Sequence, residues 1–168
     1  LGFFAVVTVG SCTWFQSDKR TGACPRFLIL GGAEEVTKFR PGAGRDQTDV
    51  TFRAAVTDFN GTCEYDRDSV QVKLYVVFDL ARGPANASGE VAFDYFVALP
   101  QFHPQPAGKQ VFSVDARLQG DQRRVAYRDA IDLAIPLKDK QRGADFEVFL
   151  GFQLTAEEAE YNRSHRRR

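Results

Sequence analysis

The chain contains no methionine, one tryptophan, two histidines and three cysteines among 168 residues, and it carries no net charge, with 22 basic and 22 acidic side chains. Each shortage removes a class of function. Balanced charge gives no bulk attraction to nucleic acid, so no nucleic-acid partner is expected. With only His103 and His165, the first in a proline-rich stretch and the second near the end, a Ser-His-Asp or Cys-His arrangement has one credible base. Cys12, Cys24 and Cys63 are too far apart for a CxxC redox pair or a zinc cluster. No apolar run reaches the roughly 20 residues of a membrane-spanning helix. The arginine- and glycine-containing stretch 40–46, RPGAGRD, lacks the Gly-Lys-Ser/Thr ending and the following helix of a phosphate cradle, and reads as a loop. Asp66, Asp68 and Ser69 are too few and wrongly spaced for a calcium loop, and read as a turn. No internal repeat and no low-complexity segment is present, and no motif asks for a cofactor or a metal.

What the chain does have begins at residues 1–12, LGFFAVVTVGSC. An export signal needs an apolar stretch of about 7–15 residues closed by small side chains, and residues 1–9 fit it. Val9-Gly10-Ser11-Cys12 resembles the lipobox of bacterial lipoproteins, in which an aliphatic and two small residues precede the cysteine that is acylated and becomes the new N-terminus. Residues 1–11 would then be a truncated signal, because the run has no initiating Met and no basic segment before it. Val9 stands where Leu is preferred. Trp14 and Phe15 suit the headgroup level of a bilayer, or ordinary packing. The competing reading of residues 1–11 is a buried first strand or a short core helix.

Residues 12–23 are polar apart from the two aromatics and read as a tether. Cys24 and Cys63 remain once Cys12 is assigned to a lipid, and an exported chain would oxidise them to a disulfide.

The domain itself, residues 24–161, is read from alternation. Fifteen phenylalanines and fourteen glycines suit a β-rich chain with many turns. Residues 26–30, RFLIL, form a short buried strand; residues 33–39 fit either a helical turn or an extended piece. Val50, Phe52, Ala54 and Val56 share one face, with Phe59 on the other parity, which places a bulge near Asp58. Asn60-Gly61 is the strongest short-range hairpin signal, and it predicts that the first strand lies beside that hairpin, within reach of Cys63. Val70, Val72, Leu74, Val76, Phe78 and Leu80 make the surest strand. Val91 to Leu99, Phe112 to Leu118, Val125 to Leu137 and Phe146 to Leu154 repeat the pattern, with a bulge or edge charge at Asp129 and an edge or strand end at Pro136. Thr155-Ala156-Glu157-Glu158 fits a capping box and opens a short helix to about Tyr161. Residues 162–168 are read as a solvated basic tail, with contact to anionic headgroups as the alternative.

About eight strands and no long helix predict an all-β antiparallel sandwich, immunoglobulin- or fibronectin-like, with a small barrel as the other closure of the same alternation. The sequons at Asn60, Asn86 and Asn162 are expected to be chance in a bacterial protein.

The lipobox, the Cys24-Pro25-Arg26 start, the FRPGAGRDQTDV and GTCEYD stretches and the LGFQLTAEEAEYNR ending together resemble a family of small Gram-negative envelope lipoproteins, chiefly alphaproteobacterial. The resemblance carries no activity and transfers one functional residue, the acylated Cys12. It implies a membrane partner through the lipid anchor. Asp directly after the acylated cysteine commonly retains such lipoproteins in the inner membrane, so Thr13 leans toward an outer-membrane location facing the periplasm. The expected function is a non-enzymatic module that presents its surface to a protein or envelope partner. A periplasmic carrier using the Phe-rich interior for an apolar ligand is the alternative, and a hydrolase the third reading.

Overall fold

A computed structural model describes residues 22–165 apart from residues 43 and 139. Among these residues the alternation becomes eight strands: β1 (Arg26–Ile29), β2 (Glu35–Phe39), β3 (Val50–Tyr65), β4 (Ser69–Arg82), β5 (Glu90–Ala98), β6 (Lys109–Arg117), β7 (Arg124–Pro136) and β8 (Glu147–Phe152). One α-helix, α1 (Ala156–His165), follows. The strands form two four-stranded sheets, ordered β2-β3-β4-β7 and β1-β8-β5-β6, which pack face to face as a sandwich.

The core sits where the period-2 pattern puts it. On β4, Val70 to Leu80 at every second position are at most 1% exposed, whereas Gln71 and Lys73 on the other parity face solvent. They meet Val91, Phe93, Tyr95 and Val97 of β5 and Val148, Leu150 and Phe152 of β8. Phe78 is the hub, with ring centroids 5.0 Å from Phe93, 5.0 Å from Tyr95 and 5.6 Å from Phe152, tilted or edge-on as the ring quadrupoles prefer.

Several local expectations are corrected. Asn60-Gly61 makes no turn: both residues lie inside β3, paired with Tyr75 and Leu74. A two-residue hairpin would need positive φ there, and neither residue has it. The strand instead continues until β4 has its full complement of partners, and the reversal comes at residues 66–68, closed by the Asp66 N–H on the Ser69 carbonyl at 2.9 Å. Gly61 faces the opposite sheet, where a Cβ would be in ordinary contact with the Phe27 ring at 3.4 Å. Accordingly β1 does not lie beside a hairpin; it faces β3 across the sandwich. Its pairing with β8 is parallel, Arg26 opposite Glu147 through Ile29 opposite Leu150, whereas the other ladders are antiparallel. No tight turn joins β1 to β8, so nothing local imposes the antiparallel sense. Of the two readings left open for residues 33–39, the extended one holds, as β2.

Other details match. The register slips between Val56 and Asp58, and Pro136 ends the edge strand β7. The capping box closes reciprocally, Thr155 N–H to Glu158 at 2.9 Å and Glu158 N–H to the Thr155 hydroxyl at 3.2 Å. The helix end is a correction: residues 162–165, read as solvated tail, extend α1 to His165, and the Asn162 amide is buried where it donates to the Gly32 and Glu35 carbonyls at 3.1 and 2.8 Å; residues 166–168 lie outside the described residues. The Asn86 amide is buried likewise, donating to the Glu90 carbonyl at 2.8 Å.

Asp129 is an inward edge charge rather than a bulge, since β4 and β7 pair without a slip. Tyr95, 1% exposed, donates its hydroxyl to the Asp129 carboxylate at 2.7 Å. Burial first, then that bond and the carboxylate charge, hold the phenol well above its ordinary 10.0. The fold therefore favours the protonated phenol. This contribution is intact below pH 10.0, where the unfolded phenol also keeps its proton. Above that it declines by up to about 1.4 kcal/mol per pH unit, until the folded phenol ionises too. Tyr95→Phe keeps the ring and removes the titration. In urea unfolding between about pH 10 and 12, the wild type should lose stability more steeply than Tyr95→Phe; parallel slopes would reject the assignment.

Candidate functional site

The end of the sandwich where the chain enters is built from three segments. Cys24 precedes β1 and Cys63 lies on β3 opposite Val72. Their sulfurs form a disulfide with Cα atoms 5.6 Å apart. Because β1 belongs to one sheet and β3 to the other, the bond staples the two layers. Buried Pro25 follows, and the Arg26 N–H bonds to the Phe146 carbonyl at 3.0 Å, starting the ladder with β8.

Tyr65 closes the same end. Its hydroxyl donates to the Ala23 carbonyl at 2.6 Å and accepts the Gly143 N–H at 2.7 Å. Gly143 has no alternative, since a Cβ would stand 2.5 Å from that oxygen and 2.7 Å from the Ala23 carbonyl. Arg26 and Glu147 form an ion pair beside it. Ala23, the disulfide and the loop before β8 are thus locked together. Sequence reasoning found the cysteines but not Tyr65 or Gly143; a glycine 78 positions from its tyrosine partner leaves no local signal. Cys12, Trp14 and Phe15 lie outside the described residues.

Both histidines lie on the surface. His103 is exposed, and among the described residues its ring has no hydrogen-bond partner. His165 stacks on Tyr161 at 3.9 Å, its Nδ1 within 2.9 Å of the Ser164 hydroxyl and of the Tyr161 carbonyl. Neither imidazole meets a carboxylate among the described residues, and no group of three or more His, Cys, Asp or Glu able to hold a metal occurs among them. Arg124 on β7, chelated by Asp79, has its guanidinium pKa pushed further up by that bond, which leaves it a fixed surface cation.

Several surface hollows are lined by charge, among them one of about 650 Å³ with Lys38, Asp94 and Asp115 and one of about 380 Å³ with Glu90, Asp115 and Arg117. A groove of about 200 Å³ between β2 and α1 carries Lys38, Arg45, Glu157 and Glu158 beside Phe39 and Tyr161. A depression of about 290 Å³ on the outer face of the first sheet is lined by Glu64, Lys73 and Asp132. The Phe-rich interior is occupied by its own rings around Phe78. No helix among the described residues is long and apolar enough to cross a membrane.

No protein family, no curated protein and no solved structure matches the chain.

Proposed function

We propose that this chain is a bacterial cell-envelope lipoprotein: a non-enzymatic β-sandwich module, acylated at Cys12, that faces the periplasm from the outer membrane and presents its surface to a protein or envelope partner. The reading rests on the lipobox pattern at residues 9–12. The observation that carries it is the Cys24–Cys63 bond. A disulfide of this kind persists in oxidising compartments, the periplasm among them, and here it fastens the end of the tether that the lipobox cysteine begins. A diacyl or triacyl anchor at Cys12 gives firm attachment, where one chain would be marginal. The packed aromatic interior leaves the apolar-carrier alternative without support.

Intact-mass measurement of the complete gene product from a Gram-negative host tests the proposal. The wild type should begin at Cys12, carry acyl groups, lack the two hydrogens of the bridge and sediment with membranes. Cys12→Ser should retain residues 1–11, carry no acyl mass and leave the outer-membrane fraction. Recovery of the wild type with a bare Cys12 thiol and residues 1–11 still attached would reject it.

A further inference from the structure

The outward face of the β1-β8-β5-β6 sheet is divided along its length. Its register puts Leu28, Phe149 and Ala98 in one row across three strands. The next row holds Leu30, Phe96 and Val111, with Gly151 between the first two; Phe96 and Gly151 are themselves buried, so the row meets solvent at its two ends. Leu30 at 42% and Val111 at 51% are the large apolar side chains left exposed among the described residues, and they bracket that row. Beyond it, away from Cys24, the same face carries exposed Asp94, Asp115 and Glu90 with Arg117 opposite Glu90, and is acidic on balance. At the tether side stand two cations: Arg26, paired with Glu147, and Lys109, whose ammonium lies 4.5 Å from the Phe96 ring centroid.

The chain outside the described residues limits how far this face can stand from an anchor at Cys12. Leu28 lies four positions after Cys24, about 13 Å along an extended strand. The twelve steps from Cys12 to Cys24 span at most about 40 Å. An anchor at Cys12 therefore holds the apolar rows within reach of the bilayer. The Lys109 ammonium, seated over the Phe96 ring, puts a cation at the apolar band, where a headgroup would meet it, and the acidic rows lie at the end that an anionic surface repels. We infer that this band docks on the anionic phospholipid surface to which Cys12 attaches the chain. The inference rests on the anchor proposed above and assigns that module an orientation: the β1-β8-β5-β6 face lies against lipid, and the β2-β3-β4-β7 face is turned outward for a partner.

The test uses the complete gene product from a Gram-negative host, reconstituted in phosphatidylethanolamine and phosphatidylglycerol vesicles with brominated acyl chains. Trp14 is the chain's one tryptophan. In a Trp14→Phe background, Val111→Trp reports on the band, and Ala126→Trp reports on the exposed outer face of β7 in the other sheet. Bromine should quench the Val111→Trp emission severalfold more than the Ala126→Trp emission. Equal quenching, or none at either position, overturns the docking face. A concentration-dependent shift of the Val111→Trp emission that ignores lipid assigns the band to a second copy or a protein, and overturns it too. Intact mass on the same sample separates the two failures. Acylated Cys12 with unquenched Val111→Trp emission removes the docking face alone, whereas a bare Cys12 removes the anchor and the orientation built on it.

Discussion

Phe78→Ala should lower the unfolding free energy by about 3–5 kcal/mol, the range for a buried phenylalanine cut back to its β-carbon. The ring is 0% exposed and stands among Phe93, Tyr95 and Phe152, which come from β5 and β8 of the opposite sheet. Those neighbours are themselves ring-locked. Phe93 also packs on Phe52 at 6.4 Å and on Phe152 at 5.2 Å, and Tyr95 is stacked on Phe112 at 5.3 Å and tied to Asp129. A site whose walls are fixed collapses little, so the cavity term adds nearly in full to the lost transfer energy. Phe78→Leu should cost less, because it refills much of the volume. Urea unfolding at neutral pH measures both. Since a domain of this kind has about 5–15 kcal/mol in total, the alanine variant should remain folded only with a much reduced margin. A loss below about 1 kcal/mol would mean that the cluster is loosely packed, and would reopen the interior to an apolar ligand.

The same cluster shows what could be read before the structure. Strand positions from Val70 to Leu80 were legible because one face of β4 is dry and the other wet, and period 2 is the direct imprint of that asymmetry. The capping box was legible because its two partners are three residues apart. The Asn60-Gly61 turn misled for the complementary reason: turn chemistry is a local preference, and β3 is held extended through it by a ladder to β4 that runs from Phe52 to Tyr65. Non-local contacts leave no such imprint. The parallel alignment of β1 with β8 joins segments 121 positions apart at the Arg26–Glu147 pair. Tyr65, the residue that ties the tether end to the loop before β8, looked like any same-parity strand position. At the site, then, composition and spacing identified Cys24 and Cys63, and the fold supplied the reason that their bond matters.

That reason makes the second large effect specific. Removing both sulfurs, as Cys24→Ala/Cys63→Ala, should lower stability by about 4 kcal/mol in the chain-entropy account for a separation of 39 residues. For a chain of this size the melting temperature should fall by about 8–16 °C. Thermal unfolding of the double variant, and of the wild type with and without a reductant, measures it. A double variant within about 1 kcal/mol of the wild type would show that Tyr65 and the β1–β8 ladder hold the end unaided. The loss should not be uniform. β1 is a four-residue edge strand hydrogen-bonded to β8 alone, whereas β3 is an interior strand paired along its length with β4 and, through Phe52 to Ala55, with β2. With the disulfide present, a pull on the tether passes from Cys24 into β3 and is shared by a whole sheet. Without it the load falls on the short parallel ladder and on the bonds of the Tyr65 hydroxyl. Amide exchange in the double variant should accordingly quicken first in β1 and in the Gly143 N–H, while the centre of β4 stays protected. On the lipid anchor proposed at Cys12, the cross-sheet bond would then keep the end nearest the anchor from being the first part of the fold to open.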